Sequence, residues 1–201
     1  MRRTPTPSLR ERKKAQTRNT IQQEALRLFL AKGYQATSVE EIAAAAGVSH
    51  MTFFRYFPTK EDVVISDEYD PLLVELIAAR PADEPAFAKI RHAVREGLAR
   101  IYAVDRDALL TRTRLILGTP ELRARQWEQQ EATERMILRA LGSHTGRSDG
   151  DLATRVVVAA CLAAISTAAS AWVESDGAQA FPDLVERAFD LLCREIGQGD
   201  G

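Results

Sequence analysis

The chain has 201 residues, 45 % of them hydrophobic, which is enough to bury a substantial core as one large domain or two small ones. Its formal charge of −1 hides an asymmetry: residues 1–60 carry eleven Lys or Arg against four Glu, a net of +7, and residues 61–201 carry 16 against 24, a net of −8. Cys161 and Cys193 are too few for a disulfide framework or a zinc pattern, and His50, His92 and His144 share no ligand spacing, so no metal site and no cofactor are expected.

Residues 1–12 read as a basic arm, with Pro5 and Pro7 opposing regular structure, and no apolar h-region marks a secretory signal, which predicts a cytoplasmic protein. A first helix then runs to about Lys32, with Ile21, Ala25, Leu28 and Phe29 at helical spacing, and Gly33 ends it. Thr37 or Ser38 can cap a second, short helix, because Glu40 and Glu41 lie in capping-box register and Val39, Ile42, Ala43 and Ala46 share one face. Gly47 can take the left-handed conformation that stops it, and Ser49 can cap a third helix. Phe53 and Phe57, with Phe54, anchor that helix to the core. His50, Met51, Thr52, Arg55 and Tyr56 are left to face a groove or a phosphate.

Thr59, with Asp62 three residues on, caps a fourth helix in which Pro71 forces either a kink or a stop near Glu68 and a restart. After the break at 81–85, further helices are predicted over Pro85 to Val104, Asp105 to Gly118 and Thr119 to about Gly142. Ser148 and Asp151 open an eighth helix running to about Ser175, and a ninth spans Pro182 to Ile196. No stretch alternates with period two, so the fold class is all-α with about nine helices and no strands. Val156 to Val173 carries no charge over eighteen residues and touches the length of a membrane span. Its many alanines instead favour a closely packed helix and no membrane contact. The ninth helix has an apolar stripe through Leu184, Val185, Ala188, Phe189, Leu191, Leu192 and Ile196, wider than an ordinary surface helix needs, which either the core of the same chain or a second subunit must cover.

Two capped helices around a glycine turn, the second with cationic and hydrogen-bonding groups outward, spell a helix-turn-helix over residues 37–60. The run Ala43-Ala44-Ala45-Ala46-Gly47-Val48-Ser49, followed by Thr52, Phe53 to Phe57 and Lys60-Glu61-Asp62, resembles the DNA-binding domain of TetR-family transcriptional regulators, and the likeness extends from about Thr17 to Asp62. Where that family usually carries a phosphate-contacting tyrosine, position 54 is phenylalanine, and Tyr56 stands nearby. The resemblance implies a helix-turn-helix domain at 13–62 and a helical ligand-binding and dimerisation domain at 63–201. It also implies a homodimer joined through the eighth and ninth helices on a palindromic double-stranded operator. Arg55 and His50 are the expected base readers, with Met51 and Thr52 assisting, and Thr37, Ser38, Ser49, Tyr56 and Lys60 are expected to position phosphates.

The stretch from Asp105 to Leu141 resembles the branch of the family that binds acyl-CoA-like ligands, which implies a repressor released by a small apolar or acyl-CoA-like effector. Candidate pocket residues are Tyr69, Phe87, His92, Tyr102, Trp127, Cys161, Ser166 and Trp172, and Arg112, Arg114, Arg123 and Arg125 could meet ligand phosphates. Glycine-rich phosphate loops, His-Glu-x-x-His and Gly-x-Ser-x-Gly are absent, and no catalytic residue is expected. The alternatives are a DNA-binding regulator controlled by a partner protein, and an all-α enzyme.

Overall fold

The computed structural model describes residues 8–66, 69–103, 106–142 and 151–197, without the side chains of Glu11, Tyr69, Asp70, Glu195 and Ile196. The arm residues Pro5 and Pro7, together with His144 and Ser148, lie outside the described residues. Ten helices and no strand are present among those described, and the chain divides into two compact units, Met1–Ser66 and Asp67–Gly201.

The first unit is built on α1 (Leu9–Lys32), which starts within the stretch expected to be an unstructured arm. Ile21, Ala25 and Phe29 follow its inner face and are almost completely buried. α2 (Val39–Ala45) begins at Ser38 with a complete capping box: the Glu41 amide donates to Ser38 Oγ at 3.2 Å and the Ser38 amide donates to Glu41 Oε2 at 2.8 Å. Its end closes with the Gly47 amide on the Ala44 carbonyl at 3.1 Å and the Val48 amide on the Ala43 carbonyl at 2.9 Å. That reversal needs φ of +65° at residue 47, which only glycine adopts without strain. α3 (His50–Tyr56) starts at once, with the Thr52 amide donating to Ser49 Oγ at 3.1 Å. Phe53 and Phe57 are fully buried, each contributing roughly 1.5–3 kcal/mol by area removed from water. Phe54 is not an anchor; it is 39 % exposed, because it lies one position off the buried face and its ring rests edge-on against His50 instead.

α4 (Asp62–Ile65) is a single turn. Thr59 and Asp62 exchange hydrogen bonds, each 3.1 Å long, as the capping signal requires, but the helix stops at Ser66 and a new one, α5 (Tyr69–Ala78), begins before Pro71. Pro71 therefore sits in a first turn, where its missing amide costs nothing, and the predicted fourth helix is two helices.

The second unit comprises α5, α6 (Ala86–Tyr102), α7 (Arg106–Gly118), α8 (Pro120–Gly142), α9 (Leu152–Glu174) and α10 (Phe181–Gly197). Asp151 caps α9, accepting from the Thr154 amide at 2.8 Å. The core gathers Ile77, Ile90, Val94, Ile137, Trp172 and Phe189, with Trp172 stacked on Phe181 at 4.9 Å between ring centroids. Arg91 fastens α6 to α10 through Glu186 and Asp190 at 2.6 and 2.7 Å. α9 is long and apolar enough to cross a membrane; one side of it packs against α6, α7, α8 and α10.

Gly177, just past α9, has φ of +73°, and a Cβ there would stand 2.7 Å from Leu110 Cδ2 and 2.9 Å from the Arg106 guanidinium. Gly47 has the same kind of backbone but nothing within 4 Å of its missing Cβ. Gly47→Ala is therefore expected to cost about 1–2 kcal/mol from backbone strain alone, and Gly177→Ala more, because overlap adds to strain. Denaturant unfolding of the two variants checks this, and equal losses would argue against it.

Candidate nucleic-acid interface

The outer face of α3 is assembled from the residues the hydrophobic anchors leave over. Met51 is 78 % exposed, and Arg55, four positions on, shares its face. His50 is exposed beside Phe54, with its Nε2 3.3 Å from Glu40 Oε1 on α2. Thr52 is half-buried, its Oγ1 3.0 Å from Ser49 Oγ, and both cap residues, Ser38 and Ser49, are exposed. Tyr56 is half-buried at the end of the helix, and the Arg55 guanidinium lies 5.5 Å from the centre of its ring. α3 itself carries no carboxylate and contributes the Arg55 cation, while His50 faces Glu40 of α2.

Two of the expected phosphate contacts require correction. Thr37 is 1 % exposed and its hydroxyl donates to the Gly33 carbonyl at 2.8 Å, so burial within the α1–α2 turn withholds it from a phosphate. Lys60 turns the same way: its ammonium donates to the carbonyls of Tyr34 and Thr37 at 3.0 and 3.1 Å and lies 4.2 Å from the centre of the Tyr34 ring. Both residues brace the loop behind the helix-turn-helix. The Tyr34 hydroxyl adds to the brace by donating to Glu61.

Sequence reasoning missed the residue that fixes α3 against α1. Arg18 donates to the Tyr56 carbonyl at 3.2 Å and to the Ser66 carbonyl at 3.5 Å, and its guanidinium lies 4.3 Å from the centre of the Phe57 ring. Gln22, one turn on, donates to the Val63 and Ser66 carbonyls at 3.3 and 3.4 Å. The available signal was a cation and an amide four apart on the buried side of an otherwise polar helix. Outside this clamp, hydrogen bonds from Lys32 and the Ser38 amide pull the Glu41 carboxyl down to about 2, so the capping box stays charged at any physiological pH.

In the second unit, the expected pocket residues divide. Tyr102 and Trp172 meet at 6.0 Å between ring centroids, and the Tyr102 hydroxyl accepts from Arg106 Nε at 3.0 Å. Trp172 is fully buried and its Nε1–H has no acceptor among the described residues. Cys161 is 1 % exposed, and burial pushes its thiol up to about 12, which makes it an inert core residue. Phe87 packs edge-on against Phe189 at 5.7 Å, and His92 lies half-buried with its Nε2 3.2 Å from Glu96. Trp127 is 71 % exposed and Ser166 is exposed, so neither lines an interior pocket; each falls on the outward side of a helix whose opposite side is in the core. The Tyr69 side chain lies outside the described residues. Of the arginines, Arg114 pairs with Asp176 and Arg125 with Glu128.

Comparison with known proteins gives this arrangement its family. The bacterial regulatory proteins tetR family matches residues 21–66, and the MftR C-terminal domain matches residues 84–197. The HTH-type transcriptional regulator TcmR of Streptomyces glaucescens is 34 % identical over 201 residues, covering 94 % of this chain and 88 % of TcmR. This chain belongs to the TetR family of transcriptional regulators. The first match covers the helix-turn-helix of α2 and α3, and the second falls within the second helical unit. A similar protein of Mycobacterium tuberculosis, the putative mycofactocin biosynthesis transcriptional regulator MftR, is 26 % identical over 90 % of this chain and 91 % of its own length. Among solved structures, the FadR regulator of Bacillus subtilis in complex with stearoyl-CoA is similar at 25 % identity and a TM-score of 0.59, over 87 % of this chain and 96 % of that one. Thermus thermophilus FadR in complex with lauroyl-CoA gives 28 % identity and a TM-score of 0.54, over 87 % and 92 % of the two chains.

Proposed function

We propose that this regulator is a cytoplasmic repressor that binds a palindromic operator as a homodimer and is released by an apolar or acyl-CoA-like effector. The observation that carries the DNA half is the outer face of α3, which contributes no carboxylate of its own and exposes Met51 and Arg55 on a helix whose other side is locked by Phe53 and Phe57. Arg55 and His50 read base edges, Met51 and Thr52 supply apolar and hydroxyl contacts, and Ser38, Ser49 and Tyr56 hold phosphates. Arg55→Ala is expected to cost about 1–3 kcal/mol on the operator and to relax specificity at one position of each half-site. A mobility-shift series in which the variant keeps its full preference for operator over scrambled duplex would overturn the base-reading role.

Dimerisation through α9 and α10 is supported by what one chain leaves uncovered. Only 22 % of the most apolar stretch of α9 is buried, although the helix is uncharged from Val156 to Val173. Leu152 and Val156 on α9 are 78 % and 57 % exposed and Leu191 on α10 is 49 % exposed, while small residues at 159, 163 and 166 continue the outward stripe of α9. A second copy covers such a self-complementary face and presents two recognition helices to two half-sites. Val156→Glu combined with Leu191→Glu is expected to give a folded monomer with sharply reduced operator affinity. Sedimentation that finds the unsubstituted protein monomeric at micromolar concentration would rule the assignment out.

The effector half draws on the fatty-acyl-CoA complexes of the FadR neighbours and on an apolar interior around Tyr102, Phe87 and Trp172, where the indole N–H of Trp172 lacks an acceptor among the described residues. A long acyl chain buries well among such side chains, and one carbonyl would satisfy that donor. By linkage, an effector that weakens the operator is itself weakened by the operator to the same factor. Titrating operator complex with lauroyl-CoA and stearoyl-CoA is expected to release DNA at concentrations where the thioester binds the free protein. An acyl-CoA that binds the protein and leaves operator affinity unchanged would refute the switch.

A further inference from the structure

The first unit contains an open groove of about 930 Å³ between the first turns of α1 and the last turn of α3. Arg10, Lys13, Lys14 and Thr17 line it from α1, and Arg55 and Tyr56 line it from α3. The α1 residues follow one helical stripe at spacings of three and four. Among the described residues, no carboxylate lines the groove.

The distribution of paired and unpaired cations in this unit makes the groove more than a solvated face. Arg27 pairs with Glu24 and Lys32 with Glu41, while Arg18 and Lys60 are engaged by backbone carbonyls. Among the described residues, that leaves Arg10, Arg12, Lys13, Lys14 and Arg55 without a carboxylate partner, and all but Arg12 line the groove. Four like charges crowded along one channel repel each other, a cost that a bound polyanion removes. The walls are held together from behind by Arg18, which ties α1 to the Tyr56 carbonyl and the Phe57 ring. From Arg10 to Thr17 the stripe runs about 10 Å along α1 at about 1.5 Å per residue, room for neighbouring phosphodiesters of a strand that advances about 3.4 Å per nucleotide along the duplex.

We infer that this groove is a second DNA contact, a channel for the phosphate backbone flanking the major groove that α3 enters, with Lys13 and Lys14 as its principal cations. The inference rests on the operator-binding reading of α3 and extends the interface from the helix-turn-helix onto the first two turns of α1. Lysine ammoniums contact phosphate as point charges without reading bases, so the groove supplies affinity and register but no sequence preference.

The test uses the full chain with Lys13→Gln and Lys14→Gln together, and Arg12→Gln as a control that removes one α1 charge outside the groove. Anisotropy titrations of operator and scrambled duplexes between about 50 and 200 mM salt read the dependence of log affinity on log salt. The double variant is expected to flatten that slope by about 0.9 for each phosphate it no longer neutralises and to weaken both duplexes by the same factor, on the order of tenfold. The operator-to-scrambled ratio stays unchanged, and Arg12→Gln keeps the original slope. A double variant with the original slope, or one whose change is matched by Arg12→Gln, overturns the groove while leaving the operator reading intact. An unsubstituted chain that shows no preference for operator over scrambled duplex overturns both.

Discussion

Arg18 is the residue that sets the geometry of the DNA-binding unit. A half-buried guanidinium must find acceptors, and this one takes the Tyr56 and Ser66 carbonyls and covers the Phe57 ring. The Tyr56 carbonyl closes the last turn of α3, where the helix dipole is negative and a cation is favoured. With that end fixed to α1 and the other end fixed by the Gly47 turn and the Ser49 cap, the angle of α3 is determined at both ends. Its apolar side then has one way to pack, and its outer side has one set of residues to offer.

The same logic sorts the charges of this unit. Cations with a structural task, Arg18 and Lys60, satisfy carbonyls at chain reversals, where they hold turns that have few other donors. Cations without one are concentrated where α1 and α3 meet. In the second unit the division is between an apolar interior and an exposed stripe on α9, with Leu191 exposed on α10. Arg91, bridging to Glu186 and Asp190, holds α10 on α6 from within the unit, so the outward stripe is presented on a fixed support. Net positive charge belongs to the first unit, and the second carries the exposed apolar stripe of α9.

What the sequence revealed was what local chemistry decides. The capping box of Ser38 and Glu41, the reversal at Gly47 and the cap at Ser49 involve partners within five residues, and the spacing of Phe53 and Phe57 marks the buried side of α3. What it concealed depends on distant partners. Lys60 reads as a phosphate ligand until the carbonyls of Tyr34 and Thr37, 26 and 23 positions away, are brought beneath it. Thr37 reads as a competing cap until the turn buries it, and Phe54 reads as core until the helical phase set by its neighbours turns it outward. Of the two outcomes that Pro71 allowed, the stop and restart is the one that occurs: α4 ends at Ile65, Arg18 and Gln22 donate to the Ser66 carbonyl, and α5 begins at Tyr69 with Pro71 in its first turn. In the second unit, an amphipathic pattern separates inside from outside only where polar residues mark the outside. Trp127 and Ser166 therefore passed for interior groups on helices whose composition is ambiguous.

The proposed function comes down to two copies of α3, related by a two-fold axis, reading two copies of one short sequence. Selecting bound duplexes from a random pool with the unsubstituted protein measures this directly. The expected outcome is an enriched palindrome whose half-site centres lie about 10–10.5 base pairs, or a multiple of that, apart. Recovery of no enriched sequence, or of a single asymmetric site with no inverted repeat, would be incompatible with a two-fold pair of recognition helices.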